Sequence, residues 1–450
     1  MFKDFFTLQI NKIKNILIPP SMIEKQALSV FLFSYLLRWR KLPEWFFKHS
    51  FKSIQVAAGA IGMGCIGFPN HPVLEITSRC NLKCIHCHAG NINKNSNIFF
   101  ELSTSQVKNL IDDIRKVNEF RMIVFTGGEP FVRDDLIEIL EYSKYKGFVN
   151  VIATNATLIT DEIAKKIKKA GVAGIAVSLD STNPAIHNEI RQNKNAFELA
   201  LAGIEAVKKA GILLQINTTA MEYNFNDLQN LIKLADNLGS SIMLMYQLVP
   251  VGRGCLIKNA SLNINSNREL IEHVANIQRN VSVIVETVAG PQYWPYLIES
   301  FLNNNFDSKN FDSIDSKYFD SKYSLNIKYN NHDIKKNNKK VKLVKRAQNL
   351  FHGCTAGRGL VYIKSNGDVW PCPFLELSSG NVLEKPFNEI WENSKVFSDL
   401  RNRKNLLKGK CGNCEYNEIC GGCRGRAYAL SRDYLSEDPY CFIENGRVDK

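Results

Sequence analysis

The sequence lacks the long apolar runs of a membrane-spanning protein. Its longest such stretch, residues 27–37, is shorter than the roughly 20 residues that cross a bilayer. The start of the chain, Met1 to Phe6, also lacks the charged, apolar and small-residue regions of a secretory signal. We therefore expect a cytoplasmic protein, whose 12 cysteines stay reduced and bind metal in preference to forming disulfides.

Acidic residues are also in short supply. Lys and Arg number 57 against 44 Asp and Glu, which gives a net charge of +13. Much of the excess lies in one low-complexity run, Lys335 to Arg346, and no helix-turn-helix, RNP or basic-zipper pattern accompanies it. The charge therefore predicts a solvated segment, and we expect no nucleic-acid partner.

The first 71 residues favour a helical N-terminal extension. A capping box from Ser21 to Glu24 starts a helix that runs to about Arg40, and a second helix follows from Glu44. Both are rich in aromatic residues and are flanked by basic ones. Two interpretations stay open: a cap packed on the main domain, or a peripheral contact with a membrane surface or a partner.

Residues 72–302 predict an α/β core. Short apolar runs alternate with helical patterns such as residues 103–117 and 196–209, which is typical of parallel strands joined by crossover helices. The predicted strands are residues 73–77, 122–126, 150–154, 174–180, 212–219 and 241–248. Six such units suit a partial (β/α)6 TIM-like barrel, in which functional loops follow the carboxyl ends of the strands.

Two further regions follow the predicted core. Residues 303–349 are Asn-rich and repeat a Phe-Asp-Ser unit, which predicts a low-complexity insertion or linker without fixed structure. Residues 350–450 contain seven cysteines and predict a small cysteine-rich domain.

Three cysteines follow the first predicted strand in a C-x3-C-x2-C pattern: Cys80, Cys84 and Cys87. Three thiolates on one loop can hold three corners of a cubane iron-sulfur cluster and leave the fourth iron open to a small molecule. The triplet alone also permits a zinc site with His86 or His88 as the fourth ligand.

A Gly-Gly-Glu motif ends the second predicted strand, at Gly127, Gly128 and Glu129. It brings backbone amides and one carboxylate to the same mouth of the predicted barrel. The carboxylate of Glu129 could accept hydrogen bonds from an ammonium group. A simple turn explains the motif equally well.

Together the two motifs resemble those of the radical S-adenosylmethionine superfamily. The resemblance implies that Cys80, Cys84 and Cys87 ligate a 4Fe-4S cluster whose open iron chelates the cofactor's amino and carboxylate groups. Reductive cleavage of the bound S-adenosylmethionine then yields a 5'-deoxyadenosyl radical. The cofactor contacts that the resemblance implies are Gly127, Gly128 and Glu129 for the methionyl amine, His86 through its backbone, Thr154, Asn155, Ser178, Asp180, and Arg191 for the carboxylate.

Two positions depart from the family pattern. His86 stands where the family usually has an aromatic residue, and Ser181 follows Asp180 where the family often has glycine. Neither change removes a cluster ligand.

The C-terminal cysteines form a second set. A zinc ribbon explains part of it, but seven thiols exceed what one zinc ion can use. The layout resembles the SPASM extension of radical S-adenosylmethionine enzymes, which binds one or two auxiliary 4Fe-4S clusters. The resemblance implies one cluster at Cys411, Cys414, Cys420 and Cys441, and another at Cys354, Cys372 and Cys423.

The second of these clusters lacks one protein thiolate. The sequence offers His352, Asp368 and Cys255 as candidate fourth ligands, and a substrate atom or water is a further alternative. Cys255, like Cys65, fits a buried structural thiol better.

The resemblance implies an enzyme that performs oxidative modification, commonly of a peptide or protein side chain. A small-molecule substrate such as a haem or tetrapyrrole precursor, modified by side-chain decarboxylation, is the alternative. Glu129, together with Cys80, Cys84 and Cys87, disfavours a non-catalytic electron carrier, which needs no cofactor-binding carboxylate. Family members that form formylglycine in sulfatases have an Asp directly after the residue that matches Cys372. Pro373 and Phe374 stand there in this sequence and argue against that reaction. No side chain stands out as a general base, and the implied electron donor is a ferredoxin or flavodoxin.

Overall fold

The computed structural model describes residues 71–90, 101–117, 120, 122–277, 280–296, 353–444 and 447–448. The predicted N-terminal helices and the predicted insertion lie outside these residues, as do Cys65 and His352. The domain boundaries therefore stay a prediction.

A sheet of nine strands forms the centre of the described part of the chain. Its strand order is β7-β6-β5-β4-β3-β2-β1-β8-β9. All neighbouring pairs from β7 to β8 run parallel, and only β8 and β9 pair in the antiparallel sense. The strands are β1 His71–Glu75, β2 Met122–Thr126, β3 Val149–Thr154, β4 Val172–Ser178, β5 Leu213–Ala220, β6 Ile242–Gln247, β7 Ile284–Val288, β8 Leu360–Ile363 and β9 Val369–Trp370.

Helices connect the parallel strands, as the alternating pattern predicts. The first begins after a capping box in which Ser103 and Gln106 bond each other's backbone amides. The connecting helices are α1 Thr104–Lys116, α2 Leu136–Tyr145, α3 Asp161–Lys169, α4 Pro184–Arg191, α5 Ala196–Lys209, α6 Leu228–Asn237 and α7 Ile264–Ile277. Short 3-10 helices occupy Pro130–Val132, Phe225–Asp227 and Gly252–Ala260.

The C-terminal region is built from short elements. Its helices are α8 Phe387–Asn393, α9 Lys395–Arg401, α10 Arg403–Leu406, α11 Gly409–Gly412 and α12 Arg424–Ser431, and a small ribbon pairs β10 Ile443–Glu444 with β11 Arg447–Val448. This region is joined directly to the core sheet, because β8 pairs with β1 along four residues. The Tyr362 hydroxyl donates to the buried carboxylate of Glu75 on the same side of the sheet.

The predicted α/β class with a partial barrel is confirmed, and all six predicted strands are present with ends shifted by up to two residues. The sequence pattern missed β7, β8 and β9. β8 and β9 are short and follow the low-complexity segment, whereas β7 is as long as β1 and β2. Their place in the sheet depends on pairing with β6 and β1, which is not visible in a local pattern.

Apolar side chains pack on both faces of the sheet. One group, Val73, Met122, Val124, Val151, Leu213, Leu360 and Tyr362, fills the concave interior, while a larger group packs the helices on the outer face. This filling leaves a cavity at the carboxyl ends of the strands. In the part of the chain that the structure describes, no helix is long and apolar enough to cross a bilayer.

Candidate active site

The loop after β1 presents its three cysteines to that cavity. Cys80 is exposed, Cys84 is buried and Cys87 is half-buried, and all three line the cavity wall. The backbone amide of Leu82 donates to Cys80 Sγ at 3.4 Å. Arg191 Nη1 lies 3.7 Å from Cys84 Sγ. Both contacts stabilise negative charge on sulfur, as thiolate ligands require.

The Gly-Gly-Glu loop packs directly on the cysteine loop. The amide of Gly128 donates to Thr77 O at 2.7 Å, and the amide of Glu129 donates to Arg79 O at 2.8 Å. A Cβ on Gly127 would lie 2.4 Å from Thr77 O, and one on Gly128 would lie 2.2 Å from Arg79 O. The glycines are thus required by backbone-to-backbone approach. Both also line the cavity, where cofactor contact stays a prediction.

Glu129 is fully buried, and its carboxylate faces the end of β3. It accepts hydrogen bonds from Thr154 Oγ1 at 2.7 Å, Asn155 N at 2.9 Å and Phe131 N at 3.2 Å. Burial raises the pKa of Glu129 to about 7, although these donors oppose the shift. Glu129 is not among the residues that line the cavity, whereas Thr154 and Asn155 are. The carboxylate therefore holds these two residues at the cavity wall, and its expected contact with the cofactor amine stays a prediction.

Arg191 and Asp180 form a buried ion pair beside the cysteine loop. Arg191 Nη2 lies 2.7 Å from Asp180 Oδ2, and the ring of His86 lies 4.0 Å from the same oxygen. Burial lowers the pKa of His86 to about 4, although Asp180 opposes the shift. Asp180 also accepts from the amide of Thr219 at 3.0 Å. Two guanidinium nitrogens of Arg191 are thus engaged within the protein.

The remaining nitrogen of Arg191 fits a ligand. Among the described residues Arg191 Nε is buried without a hydrogen-bond partner, and the side chain lines the cavity. Ser178 and His86 line the same wall. A buried donor with no partner costs free energy unless a ligand satisfies it, so this wall suits an anionic group such as the cofactor carboxylate.

The cavity continues from the first cysteine set to three cysteines of the C-terminal region, Cys354, Cys372 and Cys423. Besides His86, the aromatic residues His88, Tyr246, Tyr362 and Phe374 line it. The His88 ring lies 5.9 Å from that of Tyr362 and 5.5 Å from that of Phe374, and the Tyr246 ring lies 6.1 Å from that of Phe374. One cavity therefore borders both the loop of Cys80, Cys84 and Cys87 and the group of Cys354, Cys372 and Cys423.

A separate cavity is surrounded by the other four C-terminal cysteines. Cys411, Cys414, Cys420 and Cys441 all line it, together with Gly421 and Gly422. The structure thus divides the seven cysteines into the same two groups that the sequence analysis assigned to two clusters. Their role as ligands stays a prediction.

Backbone amides point at the sulfur atoms in both C-terminal groups. The donors to Cys372, Cys411, Cys414, Cys420 and Cys423 lie 3.4 to 3.5 Å from Sγ and belong to Phe374, Asp438, Tyr416, Gly422 and Arg426. Burial raises the pKa of the Cys372 and Cys420 thiols, so a metal is needed to hold them as thiolates. Amide donors to sulfur are characteristic of cluster sites, and these residues fit 4Fe-4S groups.

No candidate fourth ligand for the three-cysteine group is brought to the cavity by the described residues. Cys255 is exposed, and its thiol donates to Pro250 O at 2.9 Å. The carboxylate of Asp368 accepts from Trp370 Nε1 at 2.6 Å and from Ser378 Oγ. Neither side chain lines the cavity.

Sequence reasoning missed the buried charges that support the C-terminal cysteines. Arg403, Arg424, Arg426 and Asp438 are at most 2 % exposed. Arg424 Nη2 lies 3.7 Å from Cys411 Sγ, and Arg403 donates to the carbonyls of Cys354 and Glu418. The sequence signal was the pair of arginines that directly follows Cys423. Such cations offset the negative charge that cluster thiolates bring.

Comparison with known proteins agrees with this geometry. The Radical SAM superfamily model matches residues 74–235, and the SPASM model, an iron-sulfur cluster-binding domain, matches residues 354–423. An AdoMet-dependent heme synthase from Methanosarcina barkeri is 34% identical over 385 residues, which cover 85% of this chain and 99% of the relative. An Fe-coproporphyrin III synthase from the same organism is 30% identical, over 84% of this chain and 88% of the relative.

The fold is also shared with a solved structure, Streptococcus suis SuiB bound to precursor peptide SuiA. The TM-score is 0.60 at 18% identity, over 87% of this chain and 80% of the other. The zinc alternatives for the cysteine sets are not supported, because the first set lies in the match to the Radical SAM superfamily and the C-terminal match is to an iron-sulfur cluster-binding domain. The chain belongs to the radical S-adenosylmethionine superfamily, as an enzyme with a SPASM domain that uses 4Fe-4S clusters and S-adenosylmethionine.

Proposed function

We propose that the enzyme acts on a carboxylate-bearing tetrapyrrole precursor of haem and removes carboxylate from a propionate side chain. The lining of the cavity carries this proposal. Among the described residues it contains Arg191 and Arg253 but no Asp or Glu. Arg191 is paired with Asp180, so the unpaired charge in the described cavity wall is that of Arg253, and it favours an anionic substrate over a cationic one.

The apolar part of the lining supports the same substrate. The apolar side chains that line the cavity include Val73, Val124, Val151, Val288 and Leu360. A flat apolar macrocycle would bury its rings against such side chains and direct a carboxylate toward the positive charge of Arg253. The names of the two Methanosarcina barkeri relatives, a heme synthase and an Fe-coproporphyrin III synthase, agree with a tetrapyrrole substrate.

The bound cofactor supplies a 5'-deoxyadenosyl radical that accepts a hydrogen atom. In the proposed reaction the propionate carbon attached to the ring loses that hydrogen, and 5'-deoxyadenosine is formed. The remaining substrate radical releases carbon dioxide and one electron and becomes a vinyl group. An iron-sulfur cluster held by Cys354, Cys372 and Cys423 borders the same cavity in this proposal and would accept the electron.

The residues of the chain divide the remaining work in this proposal. Cys80, Cys84 and Cys87 hold the cofactor-binding cluster, and the Arg191 side chain binds the cofactor carboxylate. Thr154 and Asn155, held by Glu129, line the cofactor side of the cavity. The apolar wall keeps water away from the radical.

A peptide or protein side chain is the second candidate substrate. It rests on the shared fold with SuiB, whose structure contains a precursor peptide. A likeness at 18% identity shows the fold alone, so the tetrapyrrole proposal has the stronger support. A short peptide gene beside this one would favour the peptide, and tetrapyrrole genes would favour the haem precursor.

The proposal extends to partners and location. We infer that a ferredoxin or flavodoxin supplies the reducing electron and that the enzyme works in the cytoplasm, where its thiols stay reduced. Peripheral membrane contact by the N-terminal residues 1–71 stays a prediction.

Product analysis tests the proposed reaction. The reconstituted enzyme is incubated without oxygen with iron coproporphyrin III, S-adenosylmethionine and dithionite, and the porphyrin is analysed by mass spectrometry. We expect stepwise loss of formic-acid equivalents, as propionates become vinyl groups, and no such loss with the Cys80→Ala variant. Formation of 5'-deoxyadenosine without any change in the porphyrin mass would refute the substrate assignment.

A further inference from the structure

The turn after β6 carries an arginine that the cofactor assignment does not use. Arg253 follows Gly252 at the start of the 3-10 helix Gly252–Ala260. Its backbone amide donates to Cys87 O at 3.0 Å, and its Nε donates to Cys84 O at 2.8 Å. The backbone and the side chain of Arg253 therefore each make one hydrogen bond to the cluster-binding loop.

Close packing leaves this turn little freedom. Gly252 has a φ of +52°, and a Cβ there would lie 2.3 Å from His88 O. A Cβ on Gly90 would lie 2.5 Å from Arg253 Nη1. The guanidinium is thus held between two chain segments, and its position is defined before any ligand binds.

The charge of Arg253 is not neutralised within the described part of the protein. Arg191, the other arginine of the cavity, is paired with Asp180 at 2.7 Å. No carboxylate among the described residues forms an ion pair with Arg253, and none lines the cavity. A fixed guanidinium that borders a partly apolar cavity is a site for an anion.

We propose that the terminal nitrogens of Arg253 bind a carboxylate inside the cavity, and that this carboxylate belongs to the substrate. The assignment of this carboxylate to the substrate rests on the proposed function. Arg191 already has a free Nε for the cofactor carboxylate, which leaves Arg253 for a second anion. A propionate held beside Cys84 and Cys87 would lie close to the site where the cofactor radical forms.

Binding measurements test this role with matched variants and matched ligands. The reconstituted wild type, Arg253→Gln, Arg253→Lys and Lys258→Gln are titrated with iron coproporphyrin III and with its methyl ester, which has no charge. Lys258 is exposed on the same segment and does not line the cavity, so its variant controls for net charge. Binding of S-adenosylmethionine is measured separately by equilibrium dialysis, and iron content is determined for every variant.

We expect Arg253→Gln to bind the porphyrin at least about tenfold more weakly, as loss of a charge-assisted hydrogen bond predicts. Arg253→Gln should bind the methyl ester as tightly as the wild type does. Lys258→Gln should bind both the porphyrin and the ester as tightly as the wild type. If Arg253→Gln instead binds S-adenosylmethionine more weakly, the carboxylate belongs to the cofactor, and its assignment to the substrate is wrong. Unchanged binding of both ligands would overturn the carboxylate site.

Two further outcomes keep the inference separate from the proposed function. If the wild type does not bind the porphyrin, the tetrapyrrole proposal fails, and S-adenosylmethionine binding alone decides the role of Arg253. If Arg253→Gln loses its iron, the porphyrin affinity of Arg253→Lys tests the carboxylate site in its place. Two-point recognition by a guanidinium predicts severalfold weaker binding by the lysine variant, and wild-type binding contradicts it.

Discussion

Arg426 and Asp438 form a fully buried, two-point ion pair between the two C-terminal cysteine groups. Arg426 Nε lies 2.7 Å from Asp438 Oδ1, and Nη2 lies 2.8 Å from Oδ2. The amide of Asp438 donates to Cys411 Sγ at 3.4 Å, and its carboxylate accepts from the amide of Cys423 at 2.9 Å. One residue therefore contacts a cysteine of each group.

The same pair reaches the barrel. Arg426 Nη1 donates to Gln247 Oε1 at 2.9 Å, and Gln247 ends β6 and lines the cavity. Gln292, which follows β7, donates to Asp438 Oδ2 at 3.0 Å. The ion pair thus connects both auxiliary sites to the cavity wall.

We expect Asp438→Asn to destabilise the protein by about 3–5 kcal/mol, because it leaves the Arg426 charge buried without a partner. Iron content should fall as well, since the substitution removes the carboxylate that accepts from the amide of Cys423. Chemical unfolding and iron analysis measure the two effects. Asp433→Asn is the control: its partner Lys408 lies at the surface, so its loss should change little. Equal stability of the two variants would contradict the account.

The Glu129 carboxyl predicts a pH dependence of stability. Its pKa is raised by burial to about 7 from 4.5, so the folded state binds the proton more tightly than the unfolded state. This contribution is fully present below about pH 4.5 and is lost as the pH rises to about 7, with a size on the order of 3 kcal/mol.

Glu129→Gln removes that titration. Thermal unfolding of wild type and variant between pH 5 and pH 8 should therefore show a stability difference that shifts in favour of the variant as the pH rises. Measurements on the cluster-free chain separate this effect from acid damage to iron-sulfur groups. If the stability difference between wild type and Glu129→Gln does not change with pH, Glu129 is ionised over the whole range from pH 5 to pH 8, which contradicts the raised pKa.

Substitution of one cysteine ligand should remove the iron of one cluster and leave the iron of the others in place. A chain with three 4Fe-4S clusters contains about 12 iron atoms, and Cys411→Ala should reduce this to about eight. Cys255→Ala should leave the iron content unchanged, because its thiol faces Pro250 O and lines neither cavity. Loss of iron in the Cys255 variant would identify that thiol as the unassigned fourth ligand.

The packing of the Gly-Gly-Glu loop predicts a strong effect of one methyl group. A Cβ on Gly128 would lie 2.2 Å from Arg79 O and 2.8 Å from Cys80 Cβ, so Gly128→Ala must displace the cysteine loop. We expect loss of the cofactor-binding cluster, visible as a lower iron content and weaker absorption of the reconstituted protein. Gly254→Ala, where the nearest atom lies at 3.3 Å, is the control and should retain its clusters.

The sequence predicted what depends on local pattern. Alternating apolar runs located β1 to β6, and the capping box at Ser103 located α1. The resemblance to the SPASM extension divided the C-terminal thiols into the two groups that line different cavities. The strands and the helix are each fixed by residues close together in the chain.

The features that sequence reasoning missed depend on distant contacts. The pairing of β8 with β1 joins residues almost 300 positions apart, as does the bond between Tyr362 and Glu75. The resemblance assigned Gly127 and Gly128 to the cofactor, and the structure adds that the carbonyls of Thr77 and Arg79 leave no room for a side chain at either position. A single sequence does not show which chain segment will approach a glycine.

Isotope transfer tests the central claim most directly. Iron coproporphyrin III that carries deuterium on the propionate carbon attached to the ring is incubated with the reconstituted enzyme, S-adenosylmethionine and dithionite, and the nucleoside product is analysed by mass spectrometry. The account predicts deuterium in 5'-deoxyadenosine together with vinyl product, and neither with Cys80→Ala. Unlabelled 5'-deoxyadenosine with intact porphyrin would contradict it.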